Sequence, residues 1–172
     1  MKNKKFSNLF AAVSLISGVL WFGFYLTRLI LTYNLFEEGE LVLKNFINNS
    51  SISGIFQSFE PLYYLTFVTY IILIICFTLF LVSSRLKLKE NGWLFIITII
   101  IYFTLPFEAI LMAVDYRLIL MHIAHNFNSD LALTLTIDRL ENLGGFSVII
   151  ILCYFSIPYF LIFKPFSAIK DK

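Results

Sequence analysis

The chain has 172 residues, of which 59% are hydrophobic and only 14% are charged. Soluble globular domains usually contain about 45–50% apolar residues, so the composition indicates a protein whose solvent is largely lipid. With a net charge of +2, the chain lacks the strongly basic face that a nucleic-acid-binding domain needs. The high hydrophobicity likewise excludes a disordered tail.

Four stretches are long and apolar enough to cross a membrane, since a helix spans the ~30 Å hydrocarbon layer with about 20 residues. The predicted spans cover residues 9–32, 61–84, 93–114 and 143–163. They leave an inner loop and two longer outer segments, at residues 85–92, 33–60 and 115–142. The sequence therefore predicts an all-α integral membrane protein, a single domain built as an antiparallel bundle of four transmembrane helices.

The basic residues are distributed unevenly between the two sides of this arrangement. Nine lie on one side, accompanied by Glu90 and Asp171 only: Lys2, Lys4, Lys5, Arg85, Lys87, Lys89, Lys164, Lys170 and Lys172. Flanking positive charges are retained in the cytoplasm, so both termini are predicted to be cytoplasmic. The first span exceeds the usual length of a signal-peptide core and lacks a cleavage site. It is predicted to be retained in a multi-pass protein of the plasma (inner) membrane.

The first outer segment contains several acidic residues followed by apolar ones. The acidic residues are Glu37, Glu38 and Glu40, and the apolar positions fall within residues 41–47. This pattern is compatible with a short amphipathic helix at the membrane interface.

The second outer segment fits two structures. Apolar and polar residues alternate as in a strand, yet Leu133, Ile137 and Leu140 also have helical spacing. An isolated strand would leave unpaired edges, so we favour a helix. Gly144 and Gly145 would then mark the break before the fourth span.

Polar and small residues recur on one side of each span. On the first span they are spaced alternately by three and four, at Ser14, Gly18, Trp21, Tyr25, Arg28 and Thr32. The other spans carry weaker versions: Tyr63, Thr66 and Tyr70; Thr98 and Tyr102; Ser147, Tyr154 and Pro158. These faces are predicted to point inward, where such residues permit close helix packing.

Arg28 and Glu108 are charged residues inside predicted spans, where a charge costs at least about 2.5–3.5 kcal/mol near the helix centre. Counting ~1.5 Å per residue from the inner ends places them about 28 Å and 23 Å up. We therefore expect Arg28 and Glu108 to interact. The alternative is that each reaches the outer interface separately.

A stripe of ionisable residues follows the third span outward. Glu108, Asp115 and His122 are spaced by seven and His125 lies one turn further, so an unbroken helix would carry all four along one side. Carboxylates and imidazoles can relay protons or ligate a divalent ion, which makes Asp115, His122 and His125 weak metal candidates. The other interpretation is an ordinary solvated face.

The sequence carries no recognised catalytic or nucleotide-binding motif, and its two cysteines, Cys76 and Cys153, lie in different spans. We expect no enzymatic activity and no cofactor. The favoured role is an accessory subunit, assembly factor or protective partner of a larger membrane complex. Its expected partners are the lipid bilayer and other membrane-protein subunits or further copies of the chain, but not nucleic acid.

Two other functions fit the same residues. The first is a small transporter or channel-like protein that moves protons or metal ions along Arg28 and the stripe of Glu108, Asp115, His122 and His125. The second is a membrane haem or metalloenzyme subunit that uses one of the two histidines.

Overall fold

The computed structural model describes residues 2–37, 39–84, 86–124, 127–143 and 146–167. These residues form five helices: α1 (Lys2–Tyr33), α2 (Asn49–Ser83), α3 (Gly92–Ile123), α4 (Ser129–Leu143) and α5 (Phe146–Phe163). Four of them, α1, α2, α3 and α5, are long and apolar enough to cross a membrane. Within the described ranges the only β-structure is two isolated bridges. The prediction of an all-helical, multi-pass membrane protein is confirmed at this level.

Three of the helices are longer than the bilayer requires. α1 and α3 have 32 residues each and α2 has 35, which at ~1.5 Å per residue makes them roughly 48–52 Å long. The hydrocarbon layer is only ~30 Å thick. Each of these helices is therefore several turns longer than a perpendicular crossing of that layer needs.

The second helix begins much earlier than predicted. It starts at Asn49 rather than near residue 61, and the backbone N–H of Asn48 donates a hydrogen bond to the Ser51 hydroxyl at this end. Phe56 and Phe59 continue a buried face into the span. The extra turns are polar on the side away from this face, so a hydropathy window alone did not detect them.

The interfacial helix suggested for residues 41–47 is wrong. The chain turns back at Gly39, whose φ of 85° is a left-handed conformation that glycine adopts readily. An antiparallel bridge between Phe36 and Leu43 then closes the turn. The predicted helix in the second outer segment is confirmed as α4, while Gly144 and Gly145 lie outside the described residues.

We define the cap as loop 34–48, the first part of α2 (residues 49–60), the last part of α3 (residues 115–123) and α4. It has a conventional apolar core, which also includes Tyr63 of α2. The buried core residues are Leu35, Phe36, Ile52, Phe56, Phe59, Tyr63, Leu118, Ile119, Ala132, Leu135 and Leu140. The cap therefore joins both predicted outer segments in one packed unit.

We call α1, the remaining parts of α2 and α3, and α5 the membrane part. Its interior combines aliphatic side chains with an aromatic cluster, in which the ring centroid of Trp21 lies 5.0 Å from that of Tyr70 and 4.6 Å from that of Tyr154. The predicted inward face of α1 is confirmed, because Ser14 and Tyr25 are also buried. By contrast Tyr102, predicted to point inward, is 38% exposed and shares a hydrogen bond with Thr78.

At the end opposite the cap, the chain after α5 returns to the start of α3. The Gly92 N–H donates a hydrogen bond to the Phe166 carbonyl, and a Cβ at Gly92 would lie 2.7 Å from the Phe166 Cβ. Only glycine fits this approach. In the neighbouring loop, the Glu90 carboxylate accepts a hydrogen bond from Lys87 and raises the pKa of that ammonium group.

Candidate functional site

The predicted charged residues converge where the cap meets the membrane part. Arg28 lies near the end of α1 on the inward face, and it is only 3% exposed. Asp115 lies on α3 and is 2% exposed. The α3 helix runs unbroken to Ile123, as the stripe interpretation requires, and this places Asp115 two turns beyond Glu108 on the same side.

Arg28 and Asp115 form a two-point ion pair. Arg28 Nη1 donates to Asp115 Oδ2 at 2.5 Å, and Arg28 Nη2 donates to Asp115 Oδ1 at 2.6 Å. The Arg28 guanidinium carbon also lies 4.3 Å from the centre of the Tyr63 ring on α2. This parallel geometry is the strongest form of arginine–carboxylate contact, and the three residues connect α1, α2 and α3.

Arg139 of α4 adds a second cation. Its Nε lies 3.1 Å from Asp115 Oδ1, an ion-pair distance without hydrogen-bond geometry. Burial lowers the pKa of the Arg139 guanidinium and the positive charge of Arg28 lowers it further, while Asp115 and Glu108 oppose the shift. Two buried arginines therefore share one aspartate at this junction.

Glu108 is a second carboxyl group near this cluster, but it forms no ion pair with either arginine. It is 2% exposed, and among the described residues it has no ion pair within 4.0 Å. Its electrostatic neighbours include Arg139, Asp115 and Arg28. With Glu108 ionised, two arginines and two carboxylates make this buried region neutral.

The expected direct pair between Arg28 and Glu108 is replaced by the Arg28–Asp115 pair. Counted from the inner ends, Arg28 lies at about 28 Å, and the two carboxylates lie at about 23 Å and 33 Å. Arg28 is thus roughly midway, so depth alone does not select a partner. Glu108 interacts with Arg28 only at longer range.

His122 does not join the cluster. His122 is half-buried, its Nδ1 lies 2.9 Å from the Leu118 carbonyl oxygen, and its ring packs 4.7 Å from Phe127. His125 lies outside the described residues. The described chain contains no group of three potential metal ligands, and two arginines already occupy the Asp115 carboxylate.

Arg139 was not among the predicted site residues. The sequence nevertheless indicates that Arg139 is buried if residues 129–143 form a helix. Ala132, Leu135, Thr136 and Arg139 then occupy positions i, i+3, i+4 and i+7 on one face, and all four are buried. The helical spacing predicted from the sequence rests on Leu133, Ile137 and Leu140, of which Leu140 is buried and the other two are only half-buried. An arginine on the buried face of an amphipathic helix should have been assigned a carboxylate partner.

Comparisons with known proteins add no family assignment. A scan against protein-family models found no matching family, and searches of curated proteins and of solved structures found no significant match.

Proposed function

We propose that this protein acts non-enzymatically as an accessory subunit, assembly factor or protective partner of a larger complex in the plasma membrane. In this proposal its four spanning helices form an antiparallel bundle with both termini in the cytoplasm and the cap outside. The uneven distribution of lysine and arginine supports that orientation. Cysteine labelling in intact cells tests it: Asn45→Cys and Asp138→Cys should react from outside, and Lys87→Cys should not.

The observation that carries the proposal is the exposed face of α1, on the side of the helix opposite its buried residues. Gly23 and Thr27 are exposed one turn apart on that face, and a Cβ placed on Gly23 would meet no atom of the chain within 4 Å. Val19 and Ile30 flank them and are 66% and 67% exposed. Small residues spaced by four allow a second helix to approach closely in lipid, so this face suits a partner helix.

The charged residues support a structural role rather than a catalytic one. Arg28 and Arg139 share the Asp115 carboxylate in the interior, and Asp115 and Glu108 are each only 2% exposed. In this conformation neither carboxylate is open to a substrate from water. The surface left for recognition is apolar, which is what a membrane-embedded subunit presents.

A purification in mild detergent followed by mass spectrometry tests the proposal. The wild-type chain should retain a stoichiometric membrane partner or a second copy of itself, and Gly23→Leu should lose it. Leucine is a better helix former than glycine, so the variant should fold. Val148→Leu, at a residue of α5 that is 59% exposed, is the matched control and should retain the partner. Recovery of the wild-type chain alone, as a monomer, would contradict the proposal.

A further inference from the structure

Several buried polar atoms around Glu108 have no hydrogen-bond partner among the described residues. They are Glu108 Oε1, Tyr25 OH, Ser147 Oγ and Tyr70 OH. All four residues are at least nine-tenths buried. Unpartnered buried polar atoms are rare in folded proteins and require an explanation.

These atoms come from all four spanning helices. The Tyr25 hydroxyl of α1 lies beside the Ser147 hydroxyl of α5 and within electrostatic range of Glu108 of α3, and Tyr70 of α2 is likewise within electrostatic range of Glu108. Tyr154 of α5 also interacts with Glu108. Hydroxyl-bearing side chains of three helices, α1, α2 and α5, therefore lie within electrostatic range of Glu108.

The charged groups near Glu108 lie on its cap side. Arg28 comes from α1, Asp115 from α3 and Arg139 from α4. The arginines favour an ionised Glu108, whereas Asp115 and burial away from water favour the neutral acid. No described cation lies within ion-pair distance of Glu108. No direct contact therefore fixes Glu108 in its ionised form.

Hydroxyl groups suit both forms of this carboxyl group. They donate hydrogen bonds to a carboxylate and accept one from a carboxylic acid. The hydroxyls of Tyr25 and Ser147 make no hydrogen bond in the described part of the chain, so each is free to turn toward Glu108 in either of its protonation states. A proton also needs no cavity, unlike a metal ion with its shell of ligands.

We propose that Glu108, with the hydroxyl-bearing residues Tyr25, Tyr70, Ser147 and Tyr154 nearby, is an exchangeable proton-binding site inside the membrane part. A proton from water adds to the Glu108 carboxylate and gives the neutral acid, which donates to a neighbouring hydroxyl. The net charge of the buried region then rises from zero to +1. The site is independent of the accessory role proposed above, and it is the element that a proton-coupled function would require.

Infrared spectroscopy of the whole purified protein in detergent tests this site directly. The wild-type spectrum should contain the carbonyl stretch of a buried carboxylic acid, shifted in D₂O. Its intensity should fall as the pH is raised from about 6 to about 9, a range in which ordinary exposed carboxyl groups are already ionised. Glu108→Gln, which resembles the neutral acid in shape, should fold and lack this band at every pH.

Two further sets of variants make the result specific. Glu141→Gln removes an exposed carboxyl group of α4 and should leave the band unchanged. Tyr25→Phe and Ser147→Ala remove hydroxyl partners and should shift the band frequency. The proposal is overturned if the difference between wild type and Glu108→Gln contains only ionised carboxylate bands throughout this range, or an acid band that never titrates.

Discussion

The cap and the membrane part differ in the polar side chains that they expose and bury. In the cap, Leu118 and Phe56 are completely buried, while Asp130, Thr134 and Asp138 of α4 are exposed. In the membrane part, large apolar side chains such as Leu152 are exposed, and the interior contains aromatic and hydroxyl groups. The cap thus exposes polar residues of α4 around a buried apolar core, as water-soluble domains do. The four spanning helices expose apolar side chains, as helices in lipid do.

This difference shows which forces hold each region together. Burying apolar area away from water stabilises the cap by about 25 cal/mol per Å². Between helices in lipid that driving force is absent, and close packing and interhelical polar contacts replace it. The ionic cluster of Arg28, Asp115 and Arg139 lies at the border, where it joins helices of both regions.

The largest expected effect comes from removing the shared anion of this cluster. Asp115→Asn leaves two buried arginines without a charged partner, and breaking a buried ion pair in this way costs about 3–5 kcal/mol. The measurement is the free energy of unfolding in detergent. Asp138→Asn, at an exposed residue of α4, should change it by no more than about 0.5 kcal/mol. Equal stability of the two variants would show that the cluster does not join the regions.

A matched pair of leucines tests the contrast itself. Leu118→Ala in the cap core, where the side chain is completely buried, should lower the free energy of unfolding by about 2–5 kcal/mol. Leu152→Ala on α5, where the side chain is 64% exposed, should lower it by less than about 0.5 kcal/mol. Similar losses at both sites would contradict the assignment of the Leu152 face to lipid.

The smallest effects distinguish the partners of Arg28. Double-mutant cycles with alanine should give a coupling energy above about 1 kcal/mol for Arg28 with Asp115, and about 0.5 kcal/mol or less for Arg28 with Glu108. The reason is that only Asp115 contacts the Arg28 guanidinium. Stronger coupling to Glu108 would restore the pairing predicted from the sequence.

Part of the candidate site followed from the sequence because it depends on helical periodicity. Arg28 falls on a face of α1 whose other members, including Trp21 and Tyr25, are also buried. Glu108 and Asp115 share one side of α3 because seven residues make nearly two turns. Arg139 was missed, since its α-helix lies outside the predicted spans and its partner is 24 positions away in the chain.

The sequence by itself determined the four apolar helices and the inward faces of α1 and α2, because hydropathy and periodicity are properties of local segments. Only the tertiary structure decided that Arg28 binds Asp115 and that Arg139 joins them. It also decided that α2 and α3 extend beyond the membrane to support a cap with its own core. The physical reason is that side chains at similar depth on different helices are equivalent in the sequence, and the rotation and packing of those helices select which of them meet.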